Sequence, residues 1–345
     1  MTASAEINNR QAFYQSFVLK ITCAFLLLIV SFALSLSAGS VPLSMTELVE
    51  ALWFCPQQCE AYTMHYKIIW EIRLPRILMA LITGAGLAIT GAILQSVTRN
   101  PLADPYLFGI SSGSALGAVI VLSLISSAAI SLTLGALAGG LFSVVLMLVL
   151  AGPMATQVER LLLAGVAVSF MLSAFTGLVL YYSKPDTAAT LLFWMMGSFS
   201  NSQWPQLWMP LTVVVLGICF FSIYRRWLSV VQAGDEMALT LGIPVNRLRL
   251  FMLILCSVIT AVLVAHVGGI GFVGLMIPHM SRFIVGAQIH RILLMCVLLG
   301  GSFMMLVDVI ARSLLQHQVL PVGIVTSAVG SVFFFIILKQ RSHKY

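Results

Sequence analysis

Leu141-Phe142-Ser143-Val144-Val145-Leu146-Met147-Leu148-Val149-Leu150 carries one hydroxyl and no charge. A barrel strand facing lipid on one side alternates apolar and polar side chains. A helix surrounded by lipid or by other apolar helices is apolar all the way round, and this run has the second pattern. Phe25-Leu26-Leu27-Leu28-Ile29-Val30-Ser31-Phe32-Ala33-Leu34-Ser35-Leu36 repeats it. In lipid every backbone N–H and C=O must be paired within the protein, so uniformly apolar stretches of this kind are helices. The whole chain agrees. Of 345 residues, 60% are hydrophobic and 8% charged, where a soluble domain carries roughly 25% charged. So few charges cannot cover a soluble surface. The sequence predicts an all-α, polytopic membrane helical bundle.

Hydropathy and breakers place about ten transmembrane helices, at 17–38, 75–96, 106–125, 128–150, 161–182, 207–224, 250–267, 269–286, 291–308 and 321–338. Several are short and interrupted by Gly or Pro, which predicts tilted or discontinuous helices. The longest polar interruptions are 39–74, 183–206 and 225–249. None is a soluble domain, so residues 1–345 read as one transmembrane unit. Residues 1–15 are polar and lack a short apolar core with a cleavage site, so 17–38 reads as a retained span. Ten spans with a cytoplasmic start leave only Lys67, Arg73, Arg76, Lys184 and Arg312, of 18 Lys and Arg, on the outer side. That asymmetry follows the positive-inside rule and puts both termini in the cytoplasm.

The same rule accounts for the net charge of +7. No basic run with interleaved aromatics suggests nucleic acid as a partner. The six His are scattered with no pair at i, i+4, so no metal site is read. The 17 Met residues suit gap-filling between helices. No Ser-His-Asp or paired-carboxylate arrangement suggests hydrolytic chemistry, and no cofactor is expected. Cys55 and Cys59 lie in the first outer loop. Pro56 favours a turn that could bring them within bridging distance, so they form a possible disulfide. Asp308 and Arg312, at i, i+4 near a span end, can pair with each other.

Two segments stand out locally. Asn100-Pro101-Leu102-Ala103-Asp104-Pro105 holds two prolines four apart, which no regular helix accommodates. It is a turn in which Asn100 and Asp104 can satisfy free backbone groups, and Gly109-Ile110-Ser111-Ser112-Gly113 follows it. In 225–249, Gly234-Asp235-Glu236 opens a short helix over 235–241 with acids at its positive end. Ala238 and Leu241 are expected on one face, with Gly242 as cap and Pro244 as stop.

These segments, with Ile72-Arg73-Leu74-Pro75-Arg76, Leu161-Leu162-Leu163-Ala164-Gly165, Trp194-Met195-Met196-Gly197, Gly271-Phe272-Val273-Gly274-Leu275, Ile277-Pro278-His279 and Leu320-Pro321-Val322-Gly323, resemble the FecCD-type permeases of ABC importers. The likeness runs in order along nearly the whole chain. It implies the type II importer permease fold, with ten helices per subunit. It implies pairing with a second permease, the same or a sister chain, around a central pathway in the bacterial inner membrane. The implied partners are two cytoplasmic ATP-binding subunits and a periplasmic substrate-binding protein. In such permeases Arg73, Arg76 and Arg312 would meet glutamates of the binding protein. Gly234, Asp235, Glu236, Ala238, Leu241 and Gly242 would form the segment that docks on the ATPase. Asn100 and Leu102 would help close the inner end. A second gating segment should precede Leu161. Here the sequence has Val158-Glu159, where cobalamin permeases carry small hydroxyl residues.

The sequence adds one independent point. A phosphate-cradling loop needs Gly-Lys followed by Ser or Thr, and no Gly-Lys dipeptide occurs. ATP hydrolysis is therefore expected in a partner chain. An ion-coupled secondary transporter is the alternative. That class places ionisable residues deep in its spans, and the mid-span stretches here are almost free of charge. A membrane-embedded enzyme is disfavoured by the missing catalytic constellation. The cargo expected from the resemblance is a metal chelate, ranked iron–siderophore, then haem or cobalamin.

Overall fold

The computed structural model describes residues 2–39, 63–124, 129–152, 157–315 and 318–342, and for residues 2–16, 63, 65, 124, 129–131 and 340–342 the backbone alone. Cys55 and Cys59 lie outside the described residues.

Helix α1 spans Thr2–Ser37 and α2 spans Thr63–Lys67. A π-helical turn, Ile68–Arg73, joins α2 to α3, Leu74–Thr98. A 3-10 turn at Pro105–Phe108 leads to α4, Ile110–Leu124, and α5, Ala129–Ala151. Next come α6, Val158–Tyr182, α7, Pro185–Met195, and α8, Trp204–Ile223. Two short helices follow, α9, Arg225–Ala233, and α10, Asp235–Thr240. The chain ends with α11, Val245–Val267, α12, Val273–Val285, α13, Ile289–Ser313, and α14, Val322–Ser342. Among the described residues, eight helices are long and apolar enough to cross a membrane, and two shorter apolar ones, Ile110–Ser123 and Val273–Val285, bring the number to ten.

The bundle is built around α3. Its apolar window is 89% buried, against 11% for α1 at the periphery. It packs on α13, α11, α12 and α8. Small residues allow this close approach, since a Cβ at Gly91 would run into the carbonyl of Gly274 on α12. The Gln95 side chain then donates to that same carbonyl at 3.0 Å.

The second span starts earlier than the expected residue 75, because Pro75 does not begin the helix. It sits at the second position of α3, while the π-helical turn carries the helix on from Ile68. Leu74 N–H reaches back five residues to Ile69 O. Widening one turn is how a helix passes a residue that cannot donate. Helix α7 also lies inside the interruption expected at 183–206, with Pro185 at its first turn.

The eighth span is discontinuous. Helix α12 is only 13 residues long, and Gly268–Phe272 before it is not helical. Beside it, breaks in neighbouring elements pair with one another. Ser198 N–H donates to Val267 O at 2.8 Å, and Val322 N–H and Gly323 N–H donate to Gly197 O and Met196 O at 2.9 Å. Three interruptions, at the ends of α7, α11 and the start of α14, thus satisfy one another, as irregular backbone at membrane depth must.

Candidate functional site

At one end of the bundle, Asp308 of α13 is fully buried. Arg76 Nε donates to its two carboxylate oxygens at 2.9 and 3.1 Å, and Arg312 Nε lies 3.2 Å from Oδ2. The pairing of Asp308 with Arg312 expected from the sequence is present, and Arg76 joins it. Arg312 also donates to Ala38 O at 2.6 Å and to Ser35 Oγ at 2.8 Å. Arg73 is buried and donates to Leu36 O and Ser37 O. These carbonyls are the unpaired C-terminal groups of α1, the negative end of its dipole. Each of the three arginines therefore points inward. They fasten α1, α3 and α13 together, while Lys67, Glu71 and Ile72 beside them face outward.

In the middle of the bundle a groove of about 410 Å³ opens where the three interruptions meet, lined by Met195, Met196, Gly271, Gly323, Ile324 and Ser327. Its wall is apolar apart from backbone and one hydroxyl. Such a surface can pass a bulky cargo without holding it by charge.

At the opposite end of α3 the turn after it has the chemistry read from its sequence. Arg99 adopts a left-handed conformation, φ 50°. Asn100 Oδ1 accepts from Leu102 N–H at 2.9 Å, and Asp104 Oδ1 from Tyr106 N–H at 2.8 Å. Leu102 is 60% exposed. Burial pushes the Asp104 carboxyl up to about 6, with the Tyr106 N–H pulling the other way. The Tyr106 phenol, also raised by burial, accepts the free N–H of Ile270 at 2.8 Å. The turn is thereby tied to the interrupted span.

Helices α9 and α10 lie beside this turn. Leu228 and Val231 anchor α9, and Gly234, at φ 146°, lets the chain change direction into α10. The expectation that Ala238 and Leu241 share a face is corrected. Ala238 is fully buried, whereas Leu241 lies past the helix end and is 64% exposed. The cause is the cap. Gly242, at φ 75°, closes the helix with Gly242 N–H to Leu239 O and Ile243 N–H to Ala238 O, both 2.9 Å. That motif turns Ile243 inward and swings Leu241 out. The exposed apolar surface is Met237, Leu239 and Leu241.

Asp235 does more than sit at a helix N-terminus. Arg249 Nη2 donates to both its oxygens at 3.1 Å, and Arg99 lies 3.3 Å away. Arg249 Nε donates to Val97 O, at the end of α3, at 2.9 Å. The short helix is wired to α3 and to the Asn100 turn through one carboxylate. Sequence reading missed Arg249, Arg99 and Tyr106 in these roles. The available signal was that Asp235 and Glu236 are the only acids between 187 and 307, amid several arginines.

A sequence profile of the FecCD transport family matches residues 27–340. The cobalamin import system permease protein BtuC of Halobacterium salinarum is 40% identical over 276 residues, 79% of this chain and 74% of that one. The vitamin B12 import system permease protein BtuC of Shigella boydii is 36% identical, over 92% of this chain and 94% of that one. A probable iron chelatin transport system permease protein of Helicobacter pylori is 35% identical, over 79% and 82%. Among solved structures, a metal-chelate type ABC transporter in an inward-facing conformation superposes with a TM-score of 0.83 at 31% identity, over 93% of this chain and 98% of that one. A match along almost the full length, in sequence and in fold, makes this chain a member of the FecCD transport family.

Proposed function

We propose that this chain is the membrane-spanning half of an ATP-driven importer that carries a metal chelate inward across a bacterial inner membrane, with both termini cytoplasmic. It pairs with a second permease chain, and two ATP-binding subunits and a substrate-binding protein complete the machine. The observation that carries the reading is the inner face, where Met237, Leu239 and Leu241 are presented outward from a helix wired to α3. Clustered exposed apolar side chains beside charged ones mark a protein contact. ATP-driven movement of that contact would reach the Asn100–Leu102 turn through Asp235, which makes the turn an inner gate. The chain performs no covalent chemistry in this scheme.

The relatives named for cobalamin at 36–40% identity move cobalamin ahead of the iron–siderophore ranked first from the sequence. The weakly polar groove suits either. For the outer arginines, burial supports a docking role at one remove. Arg73, Arg76 and Arg312 hold the rim on which a binding protein would sit, with Lys67 and Glu71 exposed to it.

The test is uptake by the complex reconstituted in liposomes with its ATPase and binding protein, using cyanocobalamin, a ferric siderophore and haem in turn. ATP-dependent accumulation of one chelate is expected. Accumulation that needs no ATP and follows an imposed proton gradient would overturn the importer in favour of a secondary transporter.

A further inference from the structure

The cytoplasmic ends of α8 and α13 part around a cleft of about 260 Å³, backed by Ile89 of α3, which the transport scheme above does not use. Ile218, Leu293, Leu294 and Val297 line its inner part, and Arg225 and His290 stand at its mouth. His290 to Val297 is seven residues of helix, about 10 Å of rise. The cleft is therefore a slot that runs from the inner edge of the membrane into its hydrocarbon, apolar within and basic at the entrance. Arg225 and His290 are both exposed, and neither side chain makes a hydrogen bond or ion pair with a described residue. The surroundings are basic as well. Arg226 follows on α9, Arg291 lies 4.6 Å over the Phe17 ring, and Lys20 donates to Ile284 O. The four ion pairs seen among the described residues use Asp235 or Asp308, and the residues lining the cleft include no carboxylate.

We propose that the cleft binds one anionic phospholipid of the inner leaflet, its phosphate between Arg225 and His290 and an acyl chain along Leu294 and Val297. The guanidinium fork matches two phosphate oxygens, and the imidazole can donate an N–H in either protonation state. A basic pocket between helices on the cytoplasmic side is the geometry that recognises such headgroups. A zwitterionic lipid would bring a cation into a mouth whose lining holds no acid to receive it. Free phosphate would leave the apolar walls unused. Arg225 is the first residue of α9, so the bound lipid would brace the root of the ATPase-facing helices against α13.

The permease is assembled in phosphatidylcholine nanodiscs containing a few per cent phosphatidylglycerol with a photoactivatable acyl chain, and labelled residues are mapped by mass spectrometry. Labelling is expected on α8 and α13 around Ile218, Leu294 and Val297. The double variant Arg225→Gln with His290→Gln should lower it about tenfold or more. Arg160→Gln, an exposed arginine elsewhere on the inner face, should leave it unchanged. Excess inorganic phosphate should not compete. Equal labelling by photoactivatable phosphatidylcholine, full labelling of the double variant, or displacement by phosphate would each overturn the assignment. If the double variant does not insert, the wild-type comparison of the two lipids decides it alone.

Discussion

In the orientation proposed above Asp308 lies at the outer end and Asp235 at the inner end, and each holds two arginines, but in different surroundings. The Asp308 side chain has no exposure, and its partners Arg76 and Arg312 have 11% and 8%. Asp235 is 32% exposed, with Arg249 at 7% and Arg99 at 46%. In a water-excluded knot each charge depends on the others, because an unpaired buried ion is costly. In the half-wet knot solvent can replace a lost partner cheaply. The outer cluster also takes up the terminal carbonyls of α1, so three helices meet in it. The inner cluster joins one short helix to α11 and to the end of α3. The first arrangement suits a rim that must keep its shape. The second suits a joint that must move each time the attached helix moves.

The largest expected effect comes from breaking the rigid side. Asp308→Ala strands Arg76 and Arg312 without their counter-charge. It should cost about 3–5 kcal/mol, seen as a large fall in the melting temperature of the purified permease. A melting temperature at the wild-type value would show that the outer knot is not structural. Next comes Leu241→Asp, which puts a charge in the exposed apolar surface of the inner helix. Transport should be lost and ATP hydrolysis uncoupled, with normal amounts of protein in the membrane; normal uptake would remove this surface from the contact.

Asp235→Asn sharpens the comparison. The half-exposed pairs are worth about 1 kcal/mol or less, so melting should barely change while uptake per ATP hydrolysed falls several-fold. A stability loss as large as that of Asp308→Ala would abolish the distinction between the two knots. The smallest effect concerns Asp104. Its folded-state value near 6 exceeds the ordinary one near 4, so the native state holds the proton more tightly than the unfolded chain. Stability from this group is full below about pH 4 and is lost as pH rises through about 6. Asp104→Asn keeps the acceptor for the Tyr106 N–H and should flatten melting temperature against pH across that window. An unchanged slope would place the carboxyl outside the titration.

The ten apolar segments were legible as helices because lipid leaves few choices. A uniformly apolar run such as 141–150 must be a helix, and breakers separate one span from the next. The turn at Asn100–Pro105 was legible for a local reason, since its caps are two residues from their donors. What escaped was set by contacts between distant segments. Arg249 reaches Val97 and Asp235 only once α11 stands beside α3, and no spacing along the chain encodes that. Leu241 was assigned to the same face as Ala238 by extending helical periodicity one residue too far, past a cap that reverses the chain. The three arginines were expected to face a partner protein, and their inward direction depends on where α1 stops.

The non-helical stretch Gly268–Phe272 has a consequence for how the protein is made. A span whose helical part has only 13 residues is too short to cross the hydrocarbon by itself. Its bare amides would face lipid if it left the insertion machinery alone. The phenol of Tyr106 and the carboxamide of Gln95, both far earlier in the chain, supply two of its backbone partners. The eighth span is therefore completed by segments made well before it, and has to meet α3 and the turn that follows α3 before it is released to lipid.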